Sequence, residues 1–168
     1  MPEKNNIKMR KFRPADLNAV RKLVYNTIDM CYPSLYNAES IKYIKNYHSS
    51  GNILKDAKKG YTIVLERNNR IAATGTIIGD YITRVFVNPK FHKQGFGKLI
   101  MKKLQTKALS VGIRMVKLDA SLTGKKFYDS LEYNTIKKTF VKVENGKKLP
   151  YYKMKKILKK SQLITDPP

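Results

Sequence analysis

Residues 92–98 combine two glycines with basic side chains directly before a stretch of helical periodicity. Glycines at the start of a helix let backbone N–H groups approach an anion closely, and the helix N-terminus adds partial positive charge. The segment follows the apolar run 85–87 and therefore predicts a phosphate-binding loop. Its residues are His92, Lys93, Gln94, Gly95, Phe96, Gly97 and Lys98.

Two other kinds of phosphate loop do not fit these residues. A Walker A loop needs a glycine where His92 stands and a hydroxyl side chain where Leu99 stands. A dinucleotide fingerprint that begins at Gly95 needs its third glycine where Ile100 stands. The loop therefore does not indicate an NTPase or a dinucleotide-binding enzyme.

Strands and helices surround this loop in a definite order. Apolar periodicity and turn signals predict strand, two helices, three strands, helix, strand, helix and two strands. The second helix is expected to end at 49–51, and an aromatic loop is expected at 29–37. The predicted strands are 7–12, 61–66, 71–78, 81–87, 116–120, 135–143 and 150–156, and the predicted helices begin at Pro14 and span 40–47, 96–108 and 125–131.

The loop and this order together resemble the GCN5-related N-acetyltransferase (GNAT) family, whose loop pattern is Arg/Gln-x-x-Gly-x-Gly/Ala. The resemblance runs from about residue 7 to about residue 156 and departs at His92, where the family has Arg or Gln. It implies an α/β (α+β) fold, with a central mixed, mostly antiparallel sheet of about six to seven strands flanked by helices. It also implies transfer of an acetyl group from acetyl-CoA to a primary amine by direct attack.

The resemblance implies which residues contact the cofactor. The strand 84–87 lies beside the pantetheine arm, and a backbone amide near Phe86 or Val87 polarises the thioester carbonyl. The pyrophosphate rests on the amides of 93–98, and Ser121 stands where the family often has Asn. The implied cofactor residues are Val85, Phe86, Val87, His92, Lys93, Gln94, Gly95, Phe96, Gly97, Lys98, Ser121 and Tyr128.

A second stretch, 127–133, resembles the family pattern Phe-Tyr-x-x-x-Gly-Phe/Tyr. Its tyrosine corresponds to Tyr128, which the resemblance implies as the general acid that protonates the leaving thiolate. The alternative is a packed aromatic whose hydroxyl bonds to the backbone. Glu132 replaces the family's glycine, which predicts a different turn.

The general base and the acceptor pocket are less defined by the sequence. Asp119 is the preferred base, and Asp80 is a second candidate. Cys31, Tyr32 and Tyr36 are expected to line the acceptor pocket, with packing against the first helix as the alternative. The two histidines and single cysteine make neither a zinc site nor an internal disulfide.

The formal net charge of +23 predicts attraction to anions. Acetyl-CoA is one such anion, and RNA or DNA is another; the alternative function is a catalytically weak GNAT-fold module that binds nucleic acid. A lysine-rich proteome is the preferred explanation of the charge, because most of it comes from Lys rather than Arg.

The length of 168 residues suits one domain over 1–158, with a frayed tail at 159–168. The chain shows neither a signal region nor a membrane segment, so a cytoplasmic protein is expected. The resemblance also implies a homodimer as one oligomeric state.

Overall fold

The computed structural model describes residues 6–160, which form a seven-stranded sheet with helices on both faces. The sheet order is β1-β2-β3-β4-β5-β7-β6, and every pair is antiparallel except β4 with β5. The strands are β1 (Ile7–Lys11), β2 (Tyr61–Arg67), β3 (Arg70–Ile78), β4 (Tyr81–Val87), β5 (Met115–Ala120), β6 (Asn134–Lys142) and β7 (Lys148–Ile157). The helices are α1 (Leu17–Cys31), α2 (Ala38–Tyr47), α3 (Ser50–Lys59), α4 (Phe96–Ser110) and α5 (Lys125–Ser130). The predicted tail lies outside the described residues from 161 onward.

Two apolar layers hold the helices to the sheet. On one face, Val24 and Ile28 of α1 pack with Ile53 of α3 against the sheet. On the other face, Ile100 and Leu104 of α4 pack against β2, β3, β5 and β7. The helical spacing of these side chains gives each helix one buried stripe, and burying a large apolar side chain stabilises the fold by about 1.5–3 kcal/mol.

The region between β1 and β2 differs from the sequence prediction because it contains three α-helices where two were predicted. The Ser49 hydroxyl accepts a hydrogen bond from the Asn52 amide at 3.3 Å, so it caps the start of α3. The sequence analysis treated 49–51 only as the end of α2 and was wrong to stop there. The predicted loop at 29–37 was also too long, since α1 continues to Cys31.

A bulge interrupts the pairing of β3 with β4. Arg84 and Val85 lie opposite the single residue Gly75, and Arg84 has a φ of 54°. An extra residue in one strand bends that strand and increases its twist. The bulge therefore turns the second half of β4 away from its earlier course.

The strands β4 and β5 separate at the same place. Within residues 6–160, β5 pairs with β4 only at Tyr81 and Ile82. The edge of β4 from 83 to 87 consequently has no strand partner on the β5 side. This opening positions the site described below.

Gly75 is expected to be intolerant of a side chain because α4 crosses it closely. An added Cβ would lie 2.5 Å from Ile100 Cγ2 and 3.0 Å from Leu104 Cδ1, both of them fully buried residues. We expect Gly75→Ala to lower the free energy of unfolding by about 1–3 kcal/mol. Gly51→Ala is the control, since no atom lies within 4 Å of its Cβ and the substitution stays within about 1 kcal/mol of the wild type. Urea unfolding measures both; equal stabilities would contradict the close packing.

Candidate functional site

A cavity of about 800 Å³ occupies the opening between β4 and β5. Its walls come from these strands, the loop that precedes α4, the end of α1, α2 and α5. The first residues of α4 border one end of the cavity, and aromatic side chains from α2 and from the segment that follows α1 border the other. It therefore has a polar end beside backbone N–H groups and a more apolar end.

The loop before α4 is held by its own hydrogen bonds. The His92 Nε2–H donates to the Val87 carbonyl at 2.8 Å, which ties the loop to β4. Gly95 has a φ of 84° and begins α4, where a side chain would be strained. Gly97 admits the Phe127 ring, since an added Cβ would lie 2.9 Å from Phe127 Cζ. The glycines thus serve the turn and the contact between α4 and α5.

Most of the cofactor residues implied by the resemblance lie together on the cavity wall. Gln94 is the exception: its side chain accepts a hydrogen bond from Arg67 Nη1 at 3.0 Å and is not on the wall, and its contact with the cofactor stays a prediction. Its neighbours Lys93 and Lys98 do line the cavity. The wall includes Val85, Phe86, Val87, His92, Lys93, Gly95, Phe96, Gly97, Lys98, Ser121 and Tyr128.

Tyr128 lies in α5 on the cavity wall, in an aromatic cluster. Its ring centroid is 5.1 Å from that of Phe127 and 5.9 Å from that of Tyr133. Burial raises the pKa of Tyr128, so the phenol stays protonated at neutral pH. A Tyr128 phenol packed in this cluster therefore still carries the proton that a general acid must donate.

The turn after α5 departs from the expectation for Glu132. Glu132 has a φ of 66°, the left-handed region that glycine adopts most easily. The chain thus keeps a backbone conformation suited to glycine at this position, with a carboxylate side chain on it.

The two candidate bases occupy different surroundings. Asp119 lines the cavity, and its Oδ2 accepts a hydrogen bond from the Tyr81 hydroxyl at 2.6 Å. Asp80 does not line the cavity, and its carboxylate lies 3.6 Å from Lys117 Nζ. The reason is that Asp80 precedes the paired part of β4, whereas the opening begins after Ile82. The expectation that Asp80 faces the cleft is therefore not met.

Cys31, Tyr32 and Tyr36 all line the cavity and also pack beside α1. The Tyr36 hydroxyl donates to the Pro150 carbonyl at 2.8 Å and accepts from the Leu122 amide at 2.8 Å. Burial raises the pKa of Tyr32 to about 12 and also raises the pKa of the Cys31 thiol. These residues are thus neutral parts of the wall at neutral pH.

The sequence analysis missed a buried polar group on the wall. Arg84 Nε donates to His48 Nδ1 at 3.0 Å, and Arg84 Nη2 donates to Asp56 Oδ2 at 2.9 Å. His48 and Arg84 both line the cavity. Burial, followed by the Arg84 charge, lowers the pKa of His48 to about 3. No motif marks these residues, because the fold joins three separate segments.

Comparison with known proteins decides the family. A sequence model of the acetyltransferase (GNAT) domain matches residues 31–158, which is more than half of the chain. The chain belongs to the GNAT family. No curated protein sequence is significantly similar to it.

Solved structures share this GNAT fold at low sequence identity. The GCN5-related N-acetyltransferase of Rhodopseudomonas palustris is 17% identical, with a TM-score of 0.83 over 94% of this chain and 100% of that one. PaiA N-acetyltransferase of Thermoplasma acidophilum, solved with coenzyme A, is 16% identical, with a TM-score of 0.73 over 90% of this chain and 99% of that one. YncA of Salmonella typhimurium, solved with acetyl-CoA, is 15% identical, with a TM-score of 0.63 over 97% of this chain and 98% of that one. These structures confirm the expected fold.

A membrane-spanning helix and a metal-binding cluster are both absent from the part of the chain that the structure describes. No helix there combines the length and hydrophobicity needed to cross a bilayer. Residues 6–160 also contain no group of three or more His, Cys, Asp or Glu side chains arranged to hold a metal ion.

His48 is expected to make stability depend on pH. Unfolded, it binds a proton below its ordinary pKa of 6.5, whereas folded it does so only near 3. The unfolded state therefore holds more protons between these values, and the free energy of unfolding falls as the pH is lowered through 6.5. We expect a loss of about 2 kcal/mol from pH 7 to pH 5. Urea unfolding of the wild type and of His48→Gln at both pH values measures this loss of unfolding free energy. Equal losses in the two proteins would contradict a buried neutral imidazole.

Proposed function

We propose that the protein is an acetyl-CoA-dependent N-acetyltransferase that acts on a primary amine. The observation that carries the proposal is the opening between β4 and β5, which ends beside the N-terminus of α4. An extended arm that contains amide groups fits an unpaired strand edge, and a pyrophosphate fits a helix N-terminus. The cofactors with which PaiA and YncA were solved support the same choice, since both proteins share the fold.

The polar end of the cavity suits the pyrophosphate of acetyl-CoA. The amides of residues 96–98 begin α4 and have no acceptor within the helix. Lys93 and Lys98 line this end and add positive charge. The pantetheine arm then extends along β4 and carries the thioester at its end. The backbone amide of Phe86 or Val87 polarises the thioester carbonyl.

The transfer requires one bond to form and one to break. The amine nitrogen attacks the thioester carbonyl carbon, and collapse of the tetrahedral adduct breaks the C–S bond. Tyr128 donates its phenolic proton to the departing sulfur, and the proton lost by the amine passes to Asp119, directly or through water. Tyr81 holds Asp119 by one oxygen and leaves the other available.

The lysines of β5, β6 and β7 support a second candidate partner. Lys117 faces Lys155, and Lys137 faces Lys153, across neighbouring strands. Like charges in such pairs repel, and a polyanion would relieve the repulsion. This arrangement favours nucleic acid as the second candidate partner. A homodimer and a cytoplasmic location stay predictions.

Gly95 and Gly112 form a matched pair for testing the cofactor site. Each has a φ of 84° and no atom within 4 Å of an added Cβ, but Gly112 follows the opposite end of α4. Glutamate at either position costs about 1–2 kcal/mol of backbone strain. We expect only Gly95→Glu to raise the Kd of acetyl-CoA, by about 10- to 100-fold, because its side chain and charge compete with the pyrophosphate. Calorimetry measures the Kd of acetyl-CoA for both variants. Equal affinities of the two variants would place the cofactor elsewhere.

The acid and base assignments are tested by removing one proton-carrying group at a time. We expect Tyr128→Phe and Asp119→Asn each to lower kcat about 100-fold, without changing the Kd of acetyl-CoA. Tyr133→Phe is the control, since its hydroxyl donates to Gln105 Oε1 at 2.8 Å and does not line the cavity. Release of free CoA thiol measures turnover. Full activity of either test variant would remove that residue from the mechanism.

A further inference from the structure

The hydrogen bond between Arg84 and His48 determines where the imidazole carries its proton. A guanidinium nitrogen can only donate, so His48 Nδ1 must accept the bond from Arg84 Nε at 3.0 Å. The neutral ring then has its single N–H at Nε2. Donation into Nδ1 also polarises the ring and strengthens the Nε2–H as a donor.

Packing fixes the orientation of the His48 ring in the cavity wall. The ring makes edge-on contacts with Tyr47 and Phe86, at centroid distances of 5.0 and 5.1 Å. His48 is only 7% exposed. Among residues 6–160, Nδ1 has the one hydrogen bond of this ring, so the Nε2–H is left for the contents of the cavity.

A second unused donor lies beside this ring. Arg84 is 4% exposed and lines the same cavity, and its Nη1 is buried with no partner among the described residues. A buried donor without an acceptor is costly. Nη1 is itself out of reach of the cavity, so the Nε2–H of His48 is the donor left for an electron-rich occupant.

We propose that His48 is a specificity residue that donates its Nε2–H to an oxygen atom of the acceptor, and that Arg84 is the residue that positions it. The acceptor is consequently a primary amine that carries a carbonyl or carboxylate oxygen, as amino acids and peptide N-termini do. This inference rests on the proposed acetyltransfer. Simple alkylamines and polyamines lack the required oxygen.

His48 is not the base in this scheme. Its Nδ1 lone pair is taken by Arg84, and its Nε2 already holds a proton. Removal of the amine proton stays with Asp119, which lines the same cavity. Losing His48 should therefore weaken acceptor binding far more than the chemical step.

The first arm of the test compares acceptors on the wild-type protein. Glycine, glycinamide, a glycyl dipeptide and ethylamine are assayed with saturating acetyl-CoA, with rates expressed per concentration of free amine. We expect at least one oxygen-bearing amine to exceed ethylamine about tenfold or more in kcat/KM, the value of one hydrogen bond. Preference for glycine indicates a carboxylate, and preference for glycinamide or the dipeptide indicates a carbonyl. Ethylamine as the best acceptor would overturn the proposal.

The second arm changes the donor. His48→Phe keeps a ring but removes the N–H, and His48→Gln places an amide N–H near the Nε2 position. We expect His48→Phe to raise the KM of the preferred acceptor about tenfold while leaving kcat, the KM of ethylamine and the Kd of acetyl-CoA unchanged. His48→Gln should recover part of the loss. Equal changes for both amines would show a purely structural role.

A third measurement is made on the wild-type protein and does not depend on turnover. The chain has two histidines, so comparison with the spectrum of His92→Gln assigns the imidazole ¹H–¹⁵N signals of His48 in the wild type. We expect its Nε2–H signal to shift on addition of the preferred acceptor in the presence of CoA and not on addition of ethylamine. An unchanged signal would overturn the proposal. A wild-type protein that does not bind acetyl-CoA would instead contradict the proposed function.

Discussion

The separation of β4 from β5 after Ile82 is the constraint on which the site depends. A parallel pair that continued to Val87 would satisfy the backbone of β4 with β5 and leave no room for a ligand. The bulge at Arg84 and the crossing of α4 over Gly75 bend β4 at this point. The same bend directs the chain into the loop at the N-terminus of α4. One local irregularity in the sheet thus creates both the free strand edge and the anion site beside its end.

The sequence predicted the parts of this arrangement that depend on local chemistry. Gly95 and Gly97 mark the loop because glycine suits the positive φ at 95 and the close approach of the Phe127 ring at 97. The apolar stripe of α4 follows from the periodicity of its sequence. The family and the seven-stranded fold were confirmed on this basis. The helix α3 was missed because a serine such as Ser49 is common both after the end of one helix and at the N-cap of the next. The Gln94 side chain lies off the cavity wall because side-chain direction in a loop depends on a distant partner, here Arg67, which the sequence does not reveal.

The buried polar group could not be predicted, because its members are joined only by the fold. His48 ends α2, Asp56 lies in α3 and Arg84 sits on the bulge. An arginine in the middle of a strand predicts exposure, and the bulge reverses that expectation by turning its side chain toward α3. Two non-glycine residues with positive φ, Arg84 and Lys93, line the cavity, and each such backbone conformation costs about 1 kcal/mol or more. Glu132 has a positive φ in the turn after α5, and the other such residues, Asn68, Asn69 and Asn145, lie in turns that asparagine tolerates.

The high net charge and the buried group act over different distances. The field of +23 attracts anions, including the phosphates of CoA, but salt screens exposed charges within about 8–10 Å. It cannot distinguish one acceptor amine from another once the acceptor has entered the cavity. That distinction requires short, directional contacts inside the cavity, which the proposal assigns to Asp119 and His48. A strongly cationic protein can therefore select its acceptor by contacts inside the cavity, where the screened surface field competes least.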